Sequence, residues 1–316
     1  IAYTLTTFVY IWMKALTPLL ILRFIHGISF GFITTATGAI VANIVPKERH
    51  GEGIGYFAMS GSIAVVLGPF AGLTFIQYVS FETLFIILSI ITLGAILFAS
   101  LVQEQKVEKG SAVEQKAQKL TVKDFIETRA LPVSFIAALF TFAYASITTF
   151  LSVYAESIEL LKAANYFFLI YATAMLVSRP YFGRRFDRLG PNQAILPGFI
   201  LFALGLTFLS VTKTAWMLLF SAFVIGLGFG TLTPSFQTLA IQSTTPSRSG
   251  HATVTFFTFF DIGIAIGSYI LGLIVSQYSF QVMYIVCVII IIASMGLYLI
   301  VRPSRKNIIV SEHKRR

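Results

Sequence analysis

The sequence predicts an all-α membrane protein with about ten visible transmembrane helices, part of a bundle of about twelve in two parallel, pseudo-symmetric halves. Three observations lead to this prediction: the composition, the length of the apolar runs and an internal repeat. Hydrophobic residues make up 56% of the 316 residues, and charged residues only 11%. A water-soluble protein needs more charged residues than this to form its surface. The composition therefore predicts a protein surrounded by lipid.

Apolar runs of about 20 residues, the length that crosses a bilayer as a helix, follow one another along nearly the whole chain. They predict spans near residues 18–44, 54–77, 82–102, 132–155, 164–182, 193–211, 215–240, 252–276 and 281–301. Residues 1–13 form a further span that is shorter than the others. The one cysteine, Cys287, lies inside the last span, so an intrachain disulfide is excluded.

The basic residues produce a net charge of +10 and predict the orientation of the chain. When successive loops are assigned alternately to the two sides, most of the 23 lysines and arginines fall on one side. The positive-inside rule places that side, with the C-terminal tail, in the cytoplasm. Because these charges flank membrane spans, they indicate a multi-pass protein of the plasma membrane and exclude a nucleic-acid partner.

A long polar stretch divides the spans into two groups. We expect an N-terminal half at residues 1–102, a cytoplasmic linker at 103–130, a C-terminal half at 131–302 and a cytoplasmic tail at 303–316. The linker is rich in Lys, Glu and Gln and has little to bury. A solvated, partly helical connector is therefore favoured over a partner-binding segment.

Residues 27–85 resemble residues 226–284 at one constant offset, which indicates an internal repeat. Gly27 corresponds to Gly226, and Arg49 to Arg248. The offset spans six helices, so the second unit enters the membrane from the same side as the first. The same offset predicts that about 70 residues with two further helices precede Ile1.

The segment between the spans at 164–182 and 193–211 carries a dense set of charges. Its residues Gly183, Arg184, Arg185, Asp187, Arg188 and Gly190 form the pattern G-x-x-x-D-R-x-G. This resembles a loop signature of the major facilitator superfamily, and the resemblance covers essentially the whole chain. It implies a latch that holds neighbouring helix ends together by charge and releases them during transport. The alternative is positive charge that only sets the topology.

The span at 54–77 is similar to the antiporter pattern of the same superfamily. The positions that carry the likeness are Gly55, Ala64, Gly68, Pro69 and Gly72. Small residues allow two helices to approach closely and proline bends a helix, so this span could seal the two halves against each other. The alternative is ordinary close packing. The resemblance, rather than the packing argument, implies an exporter.

Arg23, His26 and Gly27 resemble the superfamily's R-x-x-x-G motif. A charge inside a span is costly and is usually functional. The resemblance implies that Arg23 takes part in proton coupling. The alternative is that Arg23 extends to the lipid headgroups. His26, one turn further on, is either a proton carrier or a hydrogen-bonded packing residue.

Asp261 lies in the apolar run TFFTFFDIGIAIG, which we predict to place it near the middle of the membrane. A carboxyl group at that depth must be paired, hydrated or protonated. Since desolvation disfavours the charged form, such a group can take up and release protons. We therefore favour a role in proton or substrate binding, and the alternative is a structural partner for the first half.

Aromatic residues make up 15% of the chain and suggest an aromatic substrate cavity. Its candidate residues are Phe135, Phe140, Tyr144 and Gln237. Aromatic walls with few polar groups suit amphipathic or cationic molecules. The alternative is that these side chains face lipid or neighbouring helices.

These features predict a secondary active transporter that exports small hydrophobic or amphipathic molecules, coupled to protons, by alternating access. A proton symporter that imports a sugar or another small polar solute is the alternative on the same fold. A membrane enzyme or a non-transporting receptor is disfavoured, because the four histidines are scattered without metal-ligand spacing. We expect a monomer whose partners are a small-molecule substrate, protons and the bilayer, with no cofactor and no metal.

Overall fold

A computed structural model of the chain describes residues 1–45, 60, 61, 64, 67–101, 126–245 and 248–301. In chain order the helices are α1 (Ala2–Val9), a 3-10 turn (Tyr10–Trp12), α2 (Leu16–Ile44), α3 (described at 67–75), α4 (Phe81–Ser100), a 3-10 turn (Thr128–Ala130), α5 (Leu131–Ser157), α6 (Leu161–Leu189), α7 (Asn192–Ser210), α8 (Ala215–Gln242), α9 (Ser249–Gln277) and α10 (Phe280–Val301). The predicted tail at 303–316 and residues 103–125 of the predicted linker lie outside the described residues.

Eight of the helices in the described part are long and apolar enough to cross a membrane. They are α2, α4 and α5 to α10. Many of their large hydrophobic side chains are exposed on the surface of the protein. In a bilayer these side chains contact lipid, so exposure does not oppose folding as it would in water. The prediction of an all-α membrane fold is confirmed.

The chain divides into two compact units, residues 1–117 and residues 118–316. In the second unit α8 packs against α6 and α7, α9 packs against α5, and α10 packs against α5 and α7. Its interior is aromatic: Phe140, Phe199 and Phe236 contact one another, and Tyr144 stacks on Phe229 with ring centroids 3.9 Å apart.

Glycines bring the helix pairs of the second unit into close contact. A Cβ atom on Gly230 of α8 would lie 2.6 Å from Met175 of α6. One on Gly267 of α9 would lie 2.6 Å from the carbonyl oxygen of Phe142 in α5. In lipid, where apolar burial between helices gains little, such close contacts drive helix association. The glycines at 226, 230 and 267, which belong to the internal repeat, therefore have a packing role.

The first unit is organised around Tyr10, which is 2% exposed. Its ring stacks on Phe85 of α4 at 4.8 Å between centroids and meets the ring of His26 in α2 at 5.4 Å. One aromatic side chain thus joins α4 and α2 to the 3-10 turn that follows α1.

Several helix boundaries differ from the sequence-based prediction by a few residues, and two of the differences concern charged segments. The helix expected at 164–182 continues to Leu189, and Gly190, with φ of +93°, ends it. Residues 126–130, expected in the solvated linker, belong to the second unit, where Glu127 is 4% and Ala130 0% exposed. In both places polar residues lower the hydropathy, although the backbone still forms a helix or a 3-10 turn.

Candidate functional site

Asp261 lies near the middle of α9, a helix of 29 residues. It is about 18 Å from the start of the helix, further in than the sequence suggested, because α9 begins at Ser249 and not at residue 252. Its side chain is on the exposed surface of the second unit. No described residue forms an ion pair with it.

Asp261 shares one face of α9 with Thr258 and Ser268, at spacings that bring side chains into line along a helix. A different face, with Gly263 and Gly267, packs against α5. The two helices are joined on either side of Asp261: the Thr141 hydroxyl donates to the carbonyl oxygen of Phe260 at 3.0 Å, and the Thr149 and Ser268 hydroxyls are 2.9 Å apart. Asp261 therefore lies on a helix that packs closely against its neighbour α5.

Arg23 and His26 lie in the first unit, one turn apart on α2. Because α2 begins at Leu16 and not at residue 18, Arg23 lies about two turns inside the helix. The half-buried His26 ring lies between hydrogen-bonding partners, with Nδ1 3.3 Å from the Tyr10 hydroxyl and Nε2 3.4 Å from the Thr7 hydroxyl. The ring of Tyr3 covers it at 4.3 Å between centroids. His26 is thus part of a polar network between helices.

We predicted that the charged motif at residues 183–190 is a loop. In the structure it forms the last two turns of α6, followed by Gly190. The Arg184 Nε donates to the carbonyl oxygen of Pro180 at 2.9 Å, and Arg185 donates to the Tyr181 hydroxyl at 3.0 Å. Asp187 is exposed and forms no ion pair with another described residue. Arg184 and Arg185 thus hydrogen-bond within their own helix, and the latch role stays a prediction.

The antiporter-like positions are only partly described. Gly55 lies outside the described residues, whereas Ala64, Gly68, Pro69 and Gly72 are helical. A Cβ atom on Gly68 or Gly72 would meet no described atom within 4 Å. Among the described residues of the first unit nothing packs against these two glycines, and the predicted sealing role stays a prediction.

The four candidate cavity residues differ in their burial. Phe140 is fully buried between Phe199, Phe229 and Phe236, and Tyr144 is 8% exposed against Phe229. Phe135 is half exposed on α5, and Gln237 is half-buried on α8. Phe140 and Tyr144 therefore contribute to the packed interior of the second unit, and the role of all four in substrate binding stays a prediction.

An ion pair at the end of the linker was not predicted from the sequence. The Arg248 Nε donates to Oε2 of Glu127 at 2.5 Å, and this is the one salt bridge among the described residues. The hydrogen bond from Arg248, followed by that from the Arg129 backbone N–H, holds the pKa of Glu127 below its ordinary value. Arg248 is a position of the internal repeat, but nothing in the sequence distinguishes Glu127 from the many other charges of the linker.

Comparisons with known proteins extend these observations. At the sequence level the chain is 27% identical over 289 residues to multidrug resistance protein MdtG of Enterobacter lignolyticus (strain SCF1), covering 86% of this chain and 66% of that protein. It is 26% identical over 288 residues to an uncharacterised MFS-type transporter of Methanocaldococcus jannaschii, covering 89% of this chain and 74% of that one. The chain thus spans about two thirds of the length of the MdtG relatives.

Solved structures show the same fold. A bacterial homologue of the human lysosomal transporter Spinster matches 95% of this chain and 80% of its own, with a TM-score of 0.69 and 13% identity. The human organic anion transporter MFSD10 matches 94% of this chain and 74% of its own, with a TM-score of 0.63 and 15% identity.

Apolar helices of spanning length define the class as a multi-pass helical membrane protein. The family model of the Major Facilitator Superfamily matches residues 1–196 and 161–315, and the chain belongs to this family. The resemblance identified from the sequence and the predicted fold class are confirmed. The family match and the relatives, named as a multidrug resistance protein and an MFS-type transporter, indicate a transporter rather than an enzyme.

Proposed function

We propose that this protein is a proton-coupled secondary transporter that exports small hydrophobic or amphipathic molecules. The observation that carries the proposal is the carboxyl group of Asp261, held on the exposed face of a spanning helix near its middle. A charged group facing lipid at that depth is strongly unfavourable. Asp261 therefore borders water or a polar partner, and it binds and releases the coupling proton there.

The close packing of α5 and α9 supports this role for Asp261. A proton carrier is useful to a transporter when its surroundings differ between two arrangements of the protein. The hydrogen bond to Phe260 and the contact at Gly267 keep Asp261 at a fixed position on the second unit. Protonation then favours the arrangement in which the neutral carboxyl is less hydrated. The halves at residues 1–102 and 131–302 alternate between openings to the two sides of the membrane.

Arg23 and His26 are the proposed contribution of the first unit to coupling. Arg23 is exposed on α2, about two turns from the helix start and so further from the headgroups than a residue in the first turn, which supports a role at membrane depth. His26 has a hydroxyl beside each ring nitrogen, so a proton can be passed along the network of Thr7 and Tyr10. The charged end of α6 acts as the latch between these arrangements.

Export, rather than import, is supported by the MdtG relatives, whose name is multidrug resistance protein, and by the antiporter-like positions in the span predicted at 54–77. The aromatic content of 15% suits amphipathic or cationic substrates. The basic residues of the loops support a cytoplasmic C-terminus in the plasma membrane. We propose that the protein acts as a monomer.

The test is transport by the intact protein in everted membrane vesicles under an imposed pH gradient. Lipophilic cationic dyes, neutral drugs and sugars form the panel, and vesicles without the protein are the control. We expect the dyes to accumulate in vesicles with an acidic interior, and the accumulation to collapse when a protonophore removes the gradient. Gradient-driven movement of a sugar in the opposite direction, with no dye accumulation, would favour the symporter instead.

A further inference from the structure

The ion pair between Glu127 and Arg248 lies where the chain enters the second unit. The Glu127 side chain is 6% exposed and that of Arg248 40%. Glu127 precedes the 3-10 turn that leads into α5, and Arg248 is the residue directly before α9. The pair therefore connects the beginnings of two helices that are far apart in the sequence.

Glu127 is held by its backbone as well as by its side chain. Its N–H donates to the Thr255 hydroxyl in α9 at 2.8 Å, and its Oε1 accepts from the Arg129 N–H at 3.2 Å. Thr255 is 1% exposed and lies two turns before Asp261 on the same helix. Glu127 thus connects the segment before α5 to two places on α9: the residue before its start, Arg248, and its second turn, at Thr255.

The contact continues along both helices to Asp261 and beyond. Thr141 of α5 hydrogen-bonds the backbone of Phe260, Gly267 packs on Phe142, and Thr149 meets Ser268. These contacts require one particular register of α9 along α5. The contacts near Asp261 are hydroxyl bonds and van der Waals packing, whereas the charge-assisted contact lies at the helix starts.

We propose that Glu127 and Arg248 are positioning residues: they set the register of α9 against α5, and thereby the position of Asp261. Each single substitution removes the charge-assisted contact, and loss of the Arg248 charge strongly affects the buried Glu127 carboxylate. We expect the start of α9 to shift away from α5 in that case. The consequence for Asp261 rests on the proposed function, whereas the register itself does not.

Disulfide cross-linking measures the register. Cysteines at positions 149 and 268 replace hydroxyls that are 2.9 Å apart, and Cys287→Ala removes the one cysteine of these 316 residues. In this background of the intact protein we expect rapid cross-linking under mild oxidation. Glu127→Gln and Arg248→Gln should each slow it several-fold, and the exchanged pair Glu127→Arg with Arg248→Glu should restore most of the rate.

Arg129→Gln is the matched control. It removes the charge of an arginine two residues from Glu127 but keeps the backbone N–H that donates to Glu127, so cross-linking should remain unchanged. Unchanged cross-linking in both single variants, or failure of the exchanged pair to recover any of the rate, would overturn the proposed register role.

Transport rates, measured with the same charge variants but without the added cysteines, test the link to Asp261. We expect a several-fold loss in Glu127→Gln, at equal protein level, and partial recovery in the exchanged pair. Slower cross-linking with unaltered transport would overturn the claim that this register governs Asp261. Absence of proton-driven transport in the unmodified protein would instead contradict the proposed function and leave the cross-linking result standing.

Discussion

At the scale of single residues, two buried tyrosines of the second unit, Tyr154 and Tyr284, differ in the hydrogen bonding of their hydroxyl groups. Their rings lie 5.1 Å apart, and both side chains are nearly completely buried. The Tyr154 hydroxyl donates to the carbonyl oxygen of Leu209 at 2.7 Å, whereas the Tyr284 hydroxyl has no hydrogen-bond partner among the described residues. A buried hydroxyl stabilises a fold only when it is paired.

The two tyrosines therefore respond differently to loss of the hydroxyl. We expect Tyr154→Phe to lower the stability by about 1 kcal/mol, because a hydrogen bond is lost. Tyr284→Phe should be neutral or slightly stabilising, because no bond is lost. Thermal unfolding of the purified protein in detergent compares the two variants, and equal destabilisation by both would contradict the difference in hydrogen bonding.

The sequence predicted single residues well where the chemistry of one position was unusual. A carboxylate in an apolar run, Asp261, could be placed near the middle of a helix because charge in a span is rare. Glu127 could not be found, since its partner is 121 positions away and the linker contains many similar charges. Phe140 and Tyr144 were proposed for a cavity, but composition does not reveal which face of a helix an aromatic residue occupies.

At the scale of helices, glycine positions decide how closely pairs approach. Gly267 of α9 faces the backbone of α5, where an added Cβ would lie 2.6 Å from a carbonyl oxygen that cannot move freely. Gly296 of α10 is also helical, yet an added Cβ there would meet no described atom within 4 Å. The two glycines form a matched pair for substitution.

Gly267→Ala should push α9 away from α5 and destabilise the protein by about 1–3 kcal/mol, the usual cost of overfilling a packed interior. Gly296→Ala should be neutral or stabilising by up to about 1 kcal/mol, because alanine is the better helix former. Detergent unfolding temperatures measure both. Tolerance of alanine at position 267 would show that the contact between α9 and α5 can relax, and that Gly267 is not required for their close approach.

The ends of most described helices lie within a few residues of the predicted ends. The prediction succeeds where the apolar run stops at the same place as the backbone hydrogen bonds of the helix. The helix ending at Leu189 was predicted too short, because its last two turns carry Arg184, Arg185 and Arg188. Hydropathy falls there, but a basic helix end is favourable next to the partial negative charge of the last carbonyl groups. Gly190, with its positive φ, was the better signal for the end.

At the scale of the whole molecule, the internal repeat and the apolar runs were sufficient to predict the fold. The apolar runs follow from the bilayer, which requires complete helices of nearly fixed length, and the repeat indicates a duplicated unit. The substrate could not be predicted in the same way, because many substrates are carried on one fold. What the structure adds to Asp261 is its surroundings: α9 contacts α5 at Phe260, Gly267 and Ser268.

The most direct test of the proposed role of Asp261 is proton movement during substrate export. The intact protein is reconstituted into liposomes that contain a pH-sensitive dye, and a gradient of a substrate identified in the vesicle panel is imposed. We predict that substrate efflux drives protons in the opposite direction, that Asp261→Asn abolishes this proton movement at equal reconstitution, and that Asp261→Glu retains part of it. Proton movement at the normal rate in Asp261→Asn would contradict a coupling role for this carboxyl group.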